Sequence, residues 1–151
     1  MQLKAGSDLV RRQNRSVVIA ALRRNATMSR TDLCAATALS PSTVSAITSD
    51  LLSEGVLVEP REFEPSGSRR GRPQIAIALN PARAHVVSVE LTHNQLSVGV
   101  SDYTGKAISE IDDRFSTAAC SGEDLLVRCT KLVRQALSSA AISRPSSIVM
   151  A

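Results

Sequence analysis

Apolar positions over the first eighty residues follow a helical spacing and then give way to short alternating runs. From Ser7 to Arg24 they recur at intervals of three, four and seven, and the arginines lie mostly on the other faces. This pattern predicts an amphipathic first helix with a basic exposed side, ended by Asn25 as a left-handed cap. The predicted inward positions are Leu9, Val10, Val17, Val18, Ala21 and Leu22.

Two capping signals predict two further helices. Ser29 and Asp32 have the spacing of a capping box, which begins a short helix at about Arg30 to Ala38. Ser40 is placed as an N-cap with proline after it, which predicts a third helix from Ser40 to Leu52. The predicted inward residues are Leu33, Ala36 and Thr37 in the second helix and Val44, Ile47, Leu51 and Leu52 in the third.

The remaining faces of the third helix carry short side chains instead of the Lys and Glu that usually coat a solvated helix. A small, hydroxylated and nearly uncharged face can enter the major groove of DNA without steric conflict. An exposed Ser/Thr face with no partner is the less favoured interpretation, because these residues are mediocre helix formers. The residues concerned are Ser42, Thr43, Ser45, Ala46, Thr48 and Ser49.

Two predicted strands, at residues 56–59 and 74–79, surround a basic loop. In that loop, Ser68 to Pro73 contains three arginines around Gly71, which lets the backbone approach a surface closely. Arginine suits a narrow and negative minor groove. Residues 61–73 are therefore predicted to be the wing of a winged helix-turn-helix, with a disordered basic linker as the alternative.

The pattern changes after residue 81. Residues 85–91, 95–101 and 107–115 are strand-like, residues 122–140 are helical, and residues 147–151 begin a new apolar strand. This β-β-β-α-β unit cannot cover both faces of a mixed sheet, so we expect it to be part of a larger domain in a truncated chain. The predicted inward residues of the helix are Leu125, Leu126, Cys129, Leu132, Val133, Ala136 and Leu137.

Charge is divided unevenly along the 151 residues. Residues 1–84 hold twelve Lys and Arg against seven Asp and Glu, whereas residues 85–151 hold six against seven. Phosphate neutralisation requires cations only where the duplex lies, so this asymmetry favours a DNA-binding module at the amino end. Three cysteines at irregular spacings predict reduced thiols. The lack of an apolar run or signal peptide predicts a cytoplasmic protein with no membrane partner.

At this point the residues of the first eighty positions resemble a known family. The chain resembles, in order, the start of the ROK family of repressors and sugar kinases, whose repressors begin with a MarR-like winged helix. The resemblance extends over essentially the whole chain and is strongest over residues 11–81. The segments that carry it are residues 11–15, 29–33, 39–45, 51–58, 71–73 and 79–81.

The resemblance implies an α+β chain with two parts. Residues 1–81 would be a winged helix-turn-helix, and residues 82–151 an incomplete actin-like ATPase-fold unit. The third helix, residues 40–52, would read the major groove while the arginine wing, residues 61–73, enters the minor groove. The residues expected to contact DNA are Ser29, Arg30, Ser40, Ser42, Thr43, Ser45, Thr48, Arg69, Arg70 and Arg72.

The family's kinases carry a glycine-containing phosphate loop in the first hairpin of the second domain. Here that run is Glu90-Leu91-Thr92-His93-Asn94, which lacks the glycine, so ATP binding is not expected. The family's catalytic aspartate and zinc cluster would lie beyond Ala151. We therefore expect no enzyme activity, no catalytic residue, no cofactor and no metal site.

The hypothesis is a repressor of sugar-metabolism genes whose partner is double-stranded DNA. It would be a homodimer when full length, with a sugar or sugar-derived inducer bound through the missing carboxy-terminal part. Two alternatives stay open. The chain could be a fragment of a ROK-family sugar kinase, or a small MarR-like regulator complete at 151 residues.

Overall fold

The computed structural model describes residues 2–60, 75–116 and 120–151, in two compact units, Met1–Asn80 and Pro81–Ala151. The division falls one residue before the predicted boundary. The first unit contains α1 (Gln2–Asn25), β1 (Thr27–Ser29), α2 (Arg30–Thr37), α3 (Pro41–Ser53), β2 (Leu57–Val58) and β3 (Ala76–Leu79). The second contains a 3₁₀ turn (Pro81–Arg83), β4 (His85–Leu91), β5 (Gln95–Asp102), β6 (Ala107–Arg114), α4 (Gly122–Ser139) and β7 (Ser147–Met150).

Helix α1 begins five residues before the predicted start and ends at Asn25. The prediction that Asn25 is the left-handed cap is wrong, because the left-handed backbone belongs to Ala26, with φ 57°. Asn25 stays helical, and its side-chain amide donates to the Ala21 carbonyl at 2.9 Å. The side chain thus binds a carbonyl one turn back in its own helix.

The capping signals are confirmed at both following helices. Ser29 and Asp32 form the complete capping box of α2, with each residue bonded to the backbone N–H of the other. The Ser40 hydroxyl accepts from the Thr43 amide and Pro41 occupies the first turn of α3. Each arrangement satisfies backbone N–H groups that a helix start leaves without partners inside the helix.

The core of the first unit lies between the three helices and a small antiparallel sheet of order β1-β3-β2. Strand β1, which the sequence pattern did not predict, pairs Thr27–Ser29 with Ala76–Ala78 of β3. Four residues that are predicted to face inward are exposed, and for these the prediction is wrong. They are Leu9, Val10 and Val17 of α1 and Ala36 of α2. The fully or nearly fully buried side chains are Val18, Ala21, Leu22, Leu33, Val44, Ile47, Leu51, Leu57 and Ile77.

The second unit is a four-stranded sheet of order β6-β5-β4-β7 with α4 packed on one face. Strands β4, β5 and β6 form antiparallel hairpins, and β7 returns after α4 to lie parallel to β4. Valines and Leu96 from β4 and β5 pack under Leu132 and Ala136. Leu126 is 68% exposed, so its predicted inward position is wrong. The α+β class and the β-β-β-α-β order are confirmed.

Within the described ranges, no helix is both long and apolar enough to cross a membrane.

Candidate nucleic-acid interface

Helices α2 and α3 are joined by a turn of three residues. Ala38 adopts the left-handed conformation at the end of α2, with φ 57°, and its N–H donates to the Cys34 carbonyl at 3.0 Å. The Thr37 hydroxyl accepts from the Leu39 amide at 3.4 Å. Ser40 then begins α3. Two short helices with such a turn form a helix-turn-helix, in which the second helix is the one that enters a groove of DNA.

Helix α3 has one face in the core and one face in solvent. Val44, Ile47 and Leu51 are buried, and they lie three and four residues apart on one side. The opposite side is exposed and carries no charge. We define it as the recognition face, and its members are Ser42, Ser45, Ala46 and Ser49.

Three hydroxyl groups meet at the amino end of α3. The Ser40 Oγ lies 3.0 Å from the Ser42 Oγ and 2.8 Å from the Thr43 Oγ1, and it also accepts from the Thr43 amide at 3.2 Å. Ser40 and Ser42 are exposed and Thr43 is half-buried. Hydroxyls can rotate to donate, and a helix start carries partial positive charge, so this group of hydroxyls can meet a phosphate or a base edge.

Thr48 does not belong to the recognition face, although the sequence pattern predicts that it contacts DNA. Its side chain is fully buried. The hydroxyl donates to the Ser45 carbonyl at 3.2 Å and accepts from the Arg30 Nε at 3.2 Å. Thr48 lies on the inward side of α3, where its hydroxyl holds Arg30, so a direct contact between its side chain and DNA would require the packing around it to open.

Ser29 is also withdrawn from the surface. It is 2% exposed, and both its hydroxyl and its amide donate to the Asp32 Oδ2, at 2.7 and 3.0 Å. A direct phosphate contact by the Ser29 side chain or amide, which the sequence predicts, would require the capping box to open. Its structural role is to fix the start of α2.

Arg30 lies beside α3 and connects it to the end of β2. In addition to the Thr48 contact, its Nη2 lies 3.9 Å from Glu59 Oε1, and a third of the side chain is exposed. The guanidinium therefore has a fixed position next to the helix and retains access to solvent. This geometry is compatible with a phosphate contact at one flank of the recognition face.

The acidic residues at the carboxy end of α3 are paired with arginines of α1. Arg11 Nη2 lies 2.6 Å from Asp50 Oδ2, and Arg15 makes a bidentate contact with both carboxylate oxygens of Glu54. Carboxylates near a DNA-binding helix repel phosphates unless cations neutralise them. These pairs are not visible in the sequence pattern, because the partners are 39 residues apart.

The wing is described only at its base. Strand β2 pairs antiparallel with β3, and the Asn80 side chain closes the hairpin by donating to the Gly55 carbonyl at 2.9 Å. The predicted wing residues Arg69, Arg70 and Arg72 lie outside the described residues. Strands β2 and β3, which flank the predicted wing in the sequence, therefore belong to the same unit as α3.

In the second unit, the hairpin where the family resemblance would place a phosphate loop closes on itself. The Thr92 amide donates to the Gln95 carbonyl at 2.8 Å, and the Leu91 side chain is 39% exposed. The turn contains no glycine between Glu90 and Asn94 that would let phosphates approach the backbone. The expectation that ATP does not bind at this hairpin stays a prediction.

Comparisons with known proteins agree with this geometry. A family model described as a winged helix-turn-helix DNA-binding domain matches residues 11–58. A search of the curated proteins found no match. Among solved structures, the chain is similar to one described as a ROK family transcriptional regulator, a homologue of the E. coli MLC protein.

That structural match has a TM-score of 0.58 and 21% sequence identity, and it covers 93% of this chain and 35% of the solved chain. At this low identity, the TM-score establishes similarity of fold and nothing further. The present chain spans about a third of the length of the solved regulator and shares the fold of the part that it covers. Its amino-terminal unit is a winged helix-turn-helix DNA-binding domain.

Proposed function

We propose that this winged helix-turn-helix chain is a DNA-binding transcription regulator, and that it represses genes of sugar metabolism. The recognition face of α3 would lie in the major groove, and the arginine wing would enter the adjacent minor groove. We also propose that the protein acts in the cytoplasm. Sugar control is supported by the resemblance of the chain to the ROK family and by the fold it shares with a ROK regulator.

The observation that carries the proposal is the uncharged and exposed recognition face. Residues 41–49 contain no charged side chain, and four short residues of this segment face solvent. A helix can approach base edges only if its side chains are short enough to let the backbone enter the groove. Ser42 and Ser45, with Thr43 at the flank, are the residues proposed to contact bases or phosphates.

Positive groups at the flanks complete the proposed interface. Arg30 is held beside α3 by Thr48, and the Ser40 hydroxyl group lies at the positive end of the helix. Phosphate contacts from these groups would position the domain, and the recognition face would supply specificity. Ser29 and Thr48 support this arrangement from inside the fold.

We infer that the chain does not phosphorylate sugars. A sugar kinase would not explain the DNA-binding fold of the first unit, and the hairpin at Glu90–Asn94 lacks the glycine of a phosphate loop. We further propose that the full-length protein forms a homodimer and responds to a sugar-derived inducer. This proposal rests on the family resemblance and on the weak binding expected of one winged helix alone.

The wing provides the test. A preferred duplex is first selected from a random library, and binding to it is then titrated at several salt concentrations. Replacing Arg70 and Arg72 with alanine should weaken binding and reduce the slope of log K against log salt by about 0.9 for each phosphate that is no longer neutralised.

The matched control is Arg134→Ala with Arg144→Ala, which removes two exposed arginines from the second unit. The control variant should bind with the slope of the unaltered chain. An unchanged slope in the Arg70 and Arg72 variant contradicts the wing assignment. Failure to select any duplex contradicts the proposed function itself.

A further inference from the structure

Helix α1 carries far more positive charge than the other two helices of its unit. Its 24 residues include six Lys and Arg and one acidic residue, Asp8. Two of the arginines, Arg11 and Arg15, are paired with carboxylates at the carboxy end of α3. The helix keeps an excess of positive charge after those two pairs are counted, and this charge favours a negatively charged partner.

The two ion pairs also give the direction of α1 relative to α3. Arg11 contacts Asp50 and Arg15 contacts Glu54, so a step of four residues along α1 matches a step of four residues along α3. The two helices therefore run in the same direction at this contact. The amino half of α1 lies beside the amino end of α3, where three hydroxyls meet at Ser40.

A cleft separates the amino half of α1 from α3, and we call it the α1 cleft. Its volume is about 720 Å³. One wall includes Val10 and Asn14 of α1, and the other includes Ser42, Thr43 and Ala46 of α3. Ser42 and Ala46 are also members of the recognition face. The cleft is therefore continuous with the surface that is proposed to enter the major groove of DNA.

Asn14 brings to this cleft an amide that binds no other group among the described residues. The residue is half-buried, and its side chain makes no hydrogen bond within the described part of the chain. No fully buried side-chain nitrogen or oxygen of the described residues lacks a hydrogen-bond partner, so the Asn14 amide is open to the cleft. Asn25, the other asparagine of α1, instead donates to a carbonyl of its own helix. The Asn14 amide is thus available to a partner outside the fold.

We infer that the α1 cleft holds the sugar–phosphate backbone of one DNA strand, and that the Asn14 amide donates a hydrogen bond to a phosphate of that strand. The inference rests on the proposed function, because it requires α3 to lie in the major groove. A helix in the major groove has a phosphate backbone on each of its two sides. The α1 cleft would receive one backbone, and Arg30 would contact the other.

Positions along α3 agree with one backbone contact on each side. Thr43 lines the α1 cleft, and Thr48 holds Arg30. At about 100° per residue, these two threonines lie on opposite sides of the recognition face, each roughly 110° from its centre. The recognition face therefore lies between two groups that can contact phosphates, which is the arrangement that fixes a helix in register on a duplex.

The lining of the α1 cleft suits a DNA backbone chemically. Val10 offers an apolar surface to deoxyribose, and Asn14 and Thr43 offer neutral donors to phosphate oxygens. Among the described residues of the lining, Asp50 is the one carboxylate, and its ion pair with Arg11 balances its charge. The excess positive charge of α1 attracts the phosphates, and the Asn14 amide would fix the position of one of them.

The test measures the affinity of the whole 151-residue chain for a duplex selected from a random library. Asn14→Leu has nearly the size of the original side chain and removes the amide. Affinity should fall at least about fivefold, because a hydrogen bond to a charged group is lost. Asn14→Ala removes the same amide with a side chain too small to clash, and it should show a similar loss. Circular dichroism verifies that each variant keeps its helices.

A second measurement identifies the phosphate. Each phosphate of the selected duplex is replaced in turn by a neutral methylphosphonate. At one position the replacement should weaken binding of the unaltered chain but have little further effect on Asn14→Leu, because the variant has already lost that contact. A purely structural role of Asn14 would give the same loss at every position in both proteins.

The matched control is Gln135→Leu, which removes an exposed amide from α4 and should bind like the unaltered chain. The inference is overturned if both Asn14 variants bind as tightly as the control. It is also overturned if no methylphosphonate position depends on Asn14. Either result leaves the proposed function intact, whereas failure to select any duplex contradicts the proposed function and this inference together.

Discussion

Thr48→Val separates a supporting role of Thr48 from direct contact with DNA. Valine has nearly the shape of threonine, so the buried site keeps its packing and no cavity forms. The change removes a hydroxyl that donates to the Ser45 carbonyl and accepts from the Arg30 Nε. Helix α3 continues for more than one turn after Ser45. The Ser45 carbonyl can therefore still accept a backbone hydrogen bond within the helix when the Thr48 hydroxyl is removed.

The structure sets the size of the expected effect. A typical internal hydrogen bond contributes about 1 kcal/mol net, and a bond to a charged group somewhat more. The Arg30 side chain is 33% exposed, so water can partly replace the hydrogen bond that the Thr48 hydroxyl accepts from Arg30. The free energy of unfolding should therefore fall by about 1 kcal/mol, measured by chemical denaturation of the whole chain.

A double-mutant cycle with Arg30→Ala tests the supporting role in DNA binding. The affinity for a selected duplex is measured by fluorescence anisotropy for Thr48→Val, Arg30→Ala and the double variant. If Thr48 acts through Arg30, Thr48→Val weakens binding in the unaltered chain but has little further effect once Arg30 is absent. Equal losses of affinity in both backgrounds would refute the reasoning and indicate that Thr48 contacts DNA itself.

Two further predictions concern stability. Ala38→Gly should raise the free energy of unfolding by up to about 1 kcal/mol in denaturant titration, because Ala38 has a left-handed backbone that favours glycine; a loss of stability would contradict this. Burial acts to raise the pKa of Asp102, but hydrogen bonds from the Thr104 hydroxyl and the Lys106 amide, with other backbone amides, outweigh it and hold the pKa below its ordinary value. The carboxylate therefore stabilises the fold above a pH of about 4, and that contribution disappears as pH falls through the lowered pKa. Asp102→Asn should lower the melting temperature at neutral pH, and the difference from the unaltered chain should shrink in acid; a difference that does not change with pH would contradict it.

The parts of the fold that sequence could predict are those fixed by neighbours in the chain. The capping box at Ser29 and the N-cap at Ser40 each involve partners three residues apart. Strands β4 to β6 agree with their predicted ranges within about one residue, because each has a strand-like run followed by a turn. Such features depend on local spacing alone.

The features that sequence missed depend on partners far along the chain. Strand β1 has only three residues and exists because β3 pairs with it. The sequence pattern places Thr48 at the surface because it is a hydroxyl residue among other Ser and Thr residues that are predicted to be exposed. Its burial follows from the packing of α3 and the contact with Arg30, 18 residues earlier. The pairing of Arg11 with Asp50 is hidden for the same reason.

The candidate site could be predicted in part. All four members of the recognition face are among the short residues that the sequence pattern singles out, at Ser42, Ser45, Ala46 and Ser49. Helical periodicity places them correctly because α3 has a regular apolar stripe on its other side. The DNA contacts of these residues, and of the wing arginines, stay predictions.

The most direct test of the account is Ser45→Glu. Ser45 is exposed at the centre of the recognition face, so a glutamate there should leave the melting temperature nearly unchanged. Its carboxylate would meet the negative DNA groove, and affinity for the selected duplex should fall by about tenfold or more. Ser138→Glu, at an exposed residue of α4, is the control and should bind like the unaltered chain. If Ser45→Glu binds the duplex as tightly as the control, α3 does not enter the groove and the central claim is contradicted.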